Sequence, residues 1–353
     1  VTPAPQPSLV EVLGPLASRL RCLDCGGPVE LASLAGKPAQ PDLGPDGELS
    51  CTRCDRRYPL AGGTARMLSA ELAGGSAEAE VKRRTGESFA YEWERFGVLR
   101  PEWRQNFADY LVPHSPEWLR SQTVLDVGAG SGRHSRQAAD AGASVVAVDI
   151  GRTIDVARRN LPRDVLTVQA DAEQLPFEPA SFDFVMAIGV LHHLPDPERA
   201  LFSIARFVRP GGRLHIYLYW VPERRWHRAL LGGVGAARRA TVRLPHPVLH
   251  GLSYPVAALL LALFVAPFRV LRRFEATRRV AEALPLKTYA DYPFRVLVND
   301  QFDRLSAPVE NRYTRDEVLA FLRNLGLADV TVTAGRNAGW VGDGQARAAG
   351  TDS

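Results

Sequence analysis

Cysteine is scarce, with 4 in 353 residues, too few to staple a chain of this size with disulfides. The opening VTPAPQPS lacks a basic stretch followed by an apolar run, so no secretory leader is visible and a reducing, cytoplasmic setting is expected. No GxxxxGK[ST] run occurs, which excludes a phosphate-cradling P-loop. The Gly-rich run at 128–132 does not complete the dinucleotide fingerprint GxGxxG, because position 133 is Arg. Acidic residues are nearly missing from one stretch. Between Arg224 and Arg279 stand eleven Arg, no Lys and one acid, Glu275. The net charge of +4 therefore hides about +10 there and about −6 elsewhere. Long apolar runs are also wanting. No Lys, Arg, Asp or Glu occurs from Leu244 to Phe268, but Pro255 and Pro267 bracket only the eleven residues VAALLLALFVA. A spanning helix needs about 20 apolar residues, so no transmembrane span is expected.

What is present has an ordinary globular balance, 46% hydrophobic and 23% charged, and a length that suits one large domain plus extras. The four cysteines form two CxxC pairs, Cys22 with Cys25 and Cys51 with Cys54, inside one 33-residue window. Each pair makes a tight knuckle presenting two sulfurs, and a hairpin brings the knuckles around a zinc ion. With no open ligand position the metal would be structural. Residues 19–68 are too few to build much core, so a chelator should unfold them and spare the rest.

A strand–helix rhythm runs from 123 to 219. Apolar runs at 123–127, 143–148, 165–169, 182–188 and 213–219 alternate with helical stretches at 131–141, 153–160 and 197–208. That alternation argues for an α/β fold with a parallel sheet covered on both faces. Further on, Thr314 and Glu317 fit a capping box, Gly326 fits a helix end, and 330–333 reads as a late strand. The expected organisation has a flexible arm (1–18), a zinc ribbon (19–68), and a linker with cofactor-lid helices (69–120). The sheet core (121–219) and a helical insertion (220–300) follow, then a helix and strands completing the sheet (301–341) and a disordered tail (342–353).

The glycines at 128, 130 and 132 follow a strand and open a helix, where the backbone turns sharply and approaches a ligand closely. Asp149 closes the next strand, 21 residues after Gly128, where a carboxylate can accept ribose hydroxyls. An adenosine cofactor suits that pattern.

The runs VLDVGAGSG, VVAVDI, ADAEQLPFEPASFDFVMAIGVLHHLPDPERAL and VRPGGRLHIYLY resemble the class I S-adenosylmethionine (SAM) methyltransferases, in particular the ubiquinone-biosynthesis-like branch, over residues 121–219. The cysteine module resembles the Trm112-like zinc ribbon. The resemblance implies a Rossmann-like, seven-stranded sheet with a reversed last strand. It implies cofactor contacts from Asp126, Gly128, Gly130, Gly132, Asp149, Asp171, Ala172 and Ile188, with Phe89 and Tyr91 as an aromatic lid. His193 and His192 follow the fourth strand, at the sheet edge where ligands bind, and are the candidates for a general base. Tyr217, Tyr219, Asp303, Asn311, Arg312 and Tyr313 are candidates for acceptor recognition.

The expected function is methyl transfer from SAM to a small or medium, partly apolar organic acceptor, such as a specialised metabolite. The insertion would be a lid helix or an interface, or would touch a membrane surface through its apolar residues and arginines. One alternative is an RNA nucleobase methyltransferase gripping nucleic acid with the ribbon and the arginines. Another is a non-catalytic SAM-binding adaptor.

Overall fold

The computed structural model describes residues 7–40, 42–223, 225–335 and 338–348. The chain divides into two compact units. One comprises residues 1–221 and 309–353, and the other is Pro222–Pro308.

The first unit is built on an eleven-stranded sheet. Its strands are β1 (Val29–Leu34), β2 (Gly47–Cys51), β3 (Arg57–Ala61), β4 (Thr64–Arg66), β5 (Thr123–Val127), β6 (Ser144–Asp149), β7 (Leu166–Gln169), β8 (Phe182–Ile188), β9 (Val208–Tyr219), β10 (Ala328–Gly335) and β11 (Gly339–Gln345). Their order is β1-β2-β3-β4-β7-β6-β5-β8-β9-β11-β10. From β7 to β10 this is the expected seven-stranded arrangement, with β11 antiparallel to both its neighbours. The central strands read as near-continuous apolar runs because helices cover both faces. The order reverses at β5, which lies between β6 and β8, and ligands of open α/β sheets bind in the crevice beyond such a point.

The sheet has more strands than expected because the cysteine module is not a separate bead. β4 pairs in parallel with β7, and the Thr64 and Thr167 hydroxyls meet at 2.8 Å across that seam. Cys22, Cys51, Tyr58 and Leu60 share one hydrophobic core with Val127, Val148 and Val168. The cysteine module extends the sheet, and its unfolding is expected to reach the neighbouring strands.

Two other expectations, on the arm and the tail, need correction. Residues 8–18 of the expected arm are ordered. Ser8 and Glu11 form a reciprocal capping box on the helix Leu9–Leu13, and Leu9, Leu13, Leu16 and Ala17 are buried in the shared core. Residues 1–6 lie outside the described residues. Within 69–120, where helices were expected, stands a 20-residue helix, Ala77–Phe96, started by the Ser76 hydroxyl accepting from Ala79 N–H and ended at Gly97. Residues 342–345 of the expected tail belong to β11, with Gly342 and Asp343 buried; residues 349–353 lie outside the described residues.

The second unit is helical. Its bounds, 222–308, extend past the expected 300 because the helix Phe294–Ser306 belongs to it. The prolines do not cut its apolar run at eleven residues. Helical structure continues from His246 to Leu271, with Pro255 inside the first segment, a π-turn at Leu261–Val265, and Pro267 in the first turn of the last segment. A π-turn shifts the backbone register where Pro267 has no N–H to give. This 26-residue helix is long and apolar enough to cross a membrane, contrary to the length argument from sequence.

Candidate functional site

Beyond the carboxyl ends of β5, β6 and β8 lies a cleft open to solvent and walled mainly by apolar side chains. Its floor is the loop after β5. Gly128 (φ 76°) and Gly130 (φ 56°) both occupy the left-handed region, where side chains are strained. A Cβ on Gly128 would stand 2.3 Å from Val190, and one on Gly130 3.2 Å from the Trp93 indole nitrogen. Gly132 (φ 79°) caps the helix Arg133–Asp140 and faces Ala157 and Leu161 rather than the cleft.

Asp149 ends β6 at the cleft wall. Its Oδ2 accepts from Gly130 N–H at 3.0 Å, and its Oδ1 from Gly151 N–H at 2.9 Å and the Thr153 hydroxyl at 2.7 Å. A carboxylate offers about four lone-pair sites, so roughly one remains for a ribose hydroxyl rather than two. Burial raises the Asp149 pKa against the pull of these hydrogen bonds. Asp171 and Ala172 follow β7 and line the same cleft, as do Ile188 and Phe89.

Sequence reasoning missed how Asp171 is held. Lys82 Nζ donates to Asp171 Oδ2 at 2.9 Å and pairs with Glu173 at the same distance. Lys82 is only 6% exposed. Burial pushes its pKa down, but the bonds to Asp171 and Glu173 outweigh that and raise it. The available signal was helical spacing: Lys82, Gly86, Phe89 and Trp93 recur at i, i+4, i+7 and i+11, on one face of Ala77–Phe96. Gly86, Phe89 and Trp93 line the cleft. Tyr91, two residues from Phe89, is rotated off that face and stacks under the Arg95 guanidinium at 3.5 Å, so it does not line the cleft.

Asp126 also stays out of the cleft. It accepts from the Ser135 hydroxyl at 2.5 Å, and burial raises its pKa to about 7 despite that bond. His134, by contrast, lines the cleft; burial holds its pKa well below the usual imidazole value.

The two histidines differ. His193 lines the cleft, with the Phe89 ring edge-on at 5.0 Å. Its Nδ1 lies 2.8 Å from the Val309 carbonyl, which can only accept, so Nδ1 carries the hydrogen and Nε2 is the acceptor of the neutral ring. His192 is fully buried, stacked on Tyr219 at 3.8 Å, and burial holds its pKa well below the usual value.

The acceptor candidates do not line the cleft. Tyr217 packs edge-on against Tyr110 in the core. Asn311 N–H donates to the His192 carbonyl and its side chain to the Leu194 carbonyl, so it holds the histidine loop. Arg312 lies over the Tyr219 ring and pairs with Glu310 at 2.7 Å. Tyr313 bridges Trp220 through its backbone, and Asp303 belongs to the helical unit.

The cysteines converge as expected. All four Sγ atoms lie within 4.8 Å of one another, with Cys22···Cys54 at 3.6 Å and Cys25···Cys51 at 3.5 Å. A tetrahedral zinc with bonds of about 2.3 Å requires sulfurs about 3.8 Å apart, so the set fits. Gly27 and Arg53 N–H groups donate to Cys25 and Cys51, and the Tyr58 hydroxyl lies 3.2 Å from Cys22 while accepting from Leu23 N–H. Outer groups of this kind orient metal-binding thiolates. A second cluster, His114, His215 and Asp343, has donor atoms equally close. There Arg213 donates to Asp343 at 2.7 Å and His215 Nε2 to the Tyr110 carbonyl, which makes it a buried ion-pair network.

Residues 125–216 match the family model described as "Methyltransferase domain". An uncharacterized methyltransferase of Mycobacterium tuberculosis is 37% identical over 153 residues, covering 42% of this chain and 60% of the relative. A ubiquinone biosynthesis O-methyltransferase of Coxiella burnetii is 36% identical over 126 residues, covering 35% of this chain and 54% of the relative. The chain thus spans between half and two thirds of the length of these relatives. Among solved structures, the Burkholderia thailandensis 1,6-didemethyltoxoflavin-N1-methyltransferase is 17% identical, with a TM-score of 0.43, covering 77% of this chain and 91% of that one. The glycine loop, β6 with Asp149, and β8 through Ile188 all fall inside the matched segment, and residues 125–216 are accordingly a methyltransferase domain.

Proposed function

We propose that this chain is a SAM-dependent methyltransferase acting on a small or medium, partly apolar acceptor, with a structural zinc in the cysteine module. The observation that supports it best is one cleft combining a positive-φ glycine floor, the Asp149 carboxylate at its wall and His193 at its rim. SAM would supply an activated methyl group on a sulfonium. Gly128 and Gly130 leave room for its methionine part, Asp149 accepts from its ribose, and Asp171 with Ala172 borders the adenine.

The protein's own work is then to orient the acceptor and manage one proton. Ile188, Val190, Leu194 and Phe89 present apolar walls, which favour an acceptor with apolar surface. His193 Nε2 has the lone pair to take a proton from an acceptor hydroxyl, amine or acidic carbon, and the Val309 carbonyl fixes that tautomer.

Calorimetry of S-adenosylhomocysteine with the metallated full chain tests the cofactor assignment. Asp149→Ala should weaken binding about 10- to 100-fold, the worth of a hydrogen bond to a charged group. Transfer of labelled methyl from SAM to a panel of phenols, amines and carbon acids should fall about 100-fold in His193→Gln. No heat from either SAM or its demethylated product would sink the reading.

A further inference from the structure

The run His246–Leu271 is helical over 26 residues, yet only 22% of its most apolar stretch is buried. One stripe, Leu249, Ser253, Ala257, Val265 and Phe268, is buried within the unit, whose helix Phe294–Ser306 packs against this one. Val248, Leu252, Val256, Leu259, Leu263 and Val270 recur at helical spacing on the outer side and are 38% to 58% exposed. Scattered apolar residues at a surface are ordinary, but a continuous face of this length marks an interaction surface. Both ends of the face are cationic. Arg239 and Arg243 precede it, and Arg272, Arg273 and Arg279 follow it, all exposed. Among the described residues, Arg239, Arg243, Arg273 and Arg279 form no ion pair.

We infer that the unit Pro222–Pro308 docks on an anionic phospholipid bilayer, with His246–Leu271 lying in the interface plane, its outer face among the acyl chains and the flanking arginines at the phosphates. This inference is independent of methyl transfer.

A spanning arrangement fails on topology. The helix rises about 39 Å, enough for a hydrocarbon core of about 30 Å. The two ends of the unit, however, join strands held together in the sheet unit. Tyr313 N–H donates to the Tyr219 carbonyl, and Val221 N–H to the Tyr313 carbonyl, each at 2.9 Å. Both ends therefore stay on one side of a bilayer, and a single crossing would need a second to return. No second helix among the described residues is long and apolar enough. The packing partner Phe294–Ser306 carries Asp300, Asp303 and Arg304, which are costly in hydrocarbon.

Two other occupants fit less well. A second copy packed antiparallel would set Arg243 of one protomer beside Arg269, Arg272 and Arg273 of the other, like against like. RNA would meet the arginines and leave the aliphatic face in water. Only a surface that is anionic outside and apolar beneath matches both features.

Vesicle flotation with the full chain tests this. Vesicles containing phosphatidylglycerol should retain at least about tenfold more protein than pure phosphatidylcholine vesicles, and added salt should weaken retention. The exposed triple substitution L252D/L259D/L263D should abolish retention, while R243Q/R273Q/R279Q should lower it about tenfold and flatten the salt response. Unchanged helical circular dichroism and cofactor affinity show that each variant is folded. Vesicle composition tests the wild-type chain whatever the variants do. Absence of retention on anionic vesicles, retention indifferent to the Asp substitutions, or a homodimer or RNA complex in its place would overturn the inference.

Discussion

In the sheet unit, β5, β6 and β8 bury almost every side chain between helical layers, and few large apolar side chains stand exposed among the described residues. In Pro222–Pro308 the balance inverts. Twelve of the eighteen large apolar residues that stand exposed among the described residues fall in this quarter of the chain. The difference is architectural. A strand in a two-faced sheet has both sides covered, whereas a helix packed against one neighbour covers only a stripe. Apolar composition alone therefore does not say where a residue ends; the number of layers around it does.

The sharpest test of the sheet unit's cohesion is removal of the proposed zinc. The ribbon shares its core and the β4–β7 seam with the central strands. Chelation should thus lower one cooperative transition of the whole unit by about 10 °C or more, given several kcal/mol of metal binding and 2–4 °C per kcal/mol. A separate low-temperature step confined to the ribbon in scanning calorimetry would show two bodies instead of one.

Lys82→Met comes next. It leaves Asp171 buried without its cation, while Glu173 keeps Arg199, at a cost of about 3–5 kcal/mol, measurable by denaturant unfolding. A loss below about 1 kcal/mol would mean that solvent already screens the cluster.

The smallest effect is a pH slope. His134 and His192 are buried neutral, with pKa values well below those of the unfolded chain. At these histidines the unfolded state takes up protons first, so they lower stability as pH drops below about 6.5, against an opposing gain from Asp126 and Asp149, whose raised pKa values let the folded chain take up their protons first. Asp343 adds a second acid limb. Burial would raise its pKa, but His114, His215 and Arg213 hold it far below the carboxylate range, so its contribution is present above about 4 and lost below. His192→Phe should flatten the first limb and leave the second, as read by melting temperature across pH. A slope unchanged in His192→Phe would assign it to other groups.

Much of the site was legible in the chain. The glycines at 128 and 130, Asp149 and the cysteine pairs are local patterns whose chemistry fixes their spacing; Gly128, Gly130 and Asp149 line the cleft and the four sulfurs converge, while Asp171, implied only by the family resemblance, lines the cleft as well. Other features were hidden because they depend on distant partners. Tyr91 and Phe89 look equivalent in sequence, but a two-residue step on a helix rotates one away. His192 and His193 are neighbours, yet Val309, 116 residues on, decides which ring nitrogen of His193 carries the hydrogen. β11 was unreadable as a strand because GWVGDGQ holds three glycines. They are required by neighbours, since a Cβ on Gly339 would stand 2.3 Å from the Tyr217 ring and one on Gly342 2.9 Å from Leu322.

The amino-acid sequence by itself determined the α/β rhythm, the thiolate set and the cofactor loop, because periodicity, ligand chemistry and positive-φ turns act over a few residues. Tertiary structure alone decided that the ribbon would merge with the sheet, that Lys82 would lock Asp171, and that the apolar helix would keep an open face. Those outcomes depend on which surfaces are left uncovered once every other element has packed.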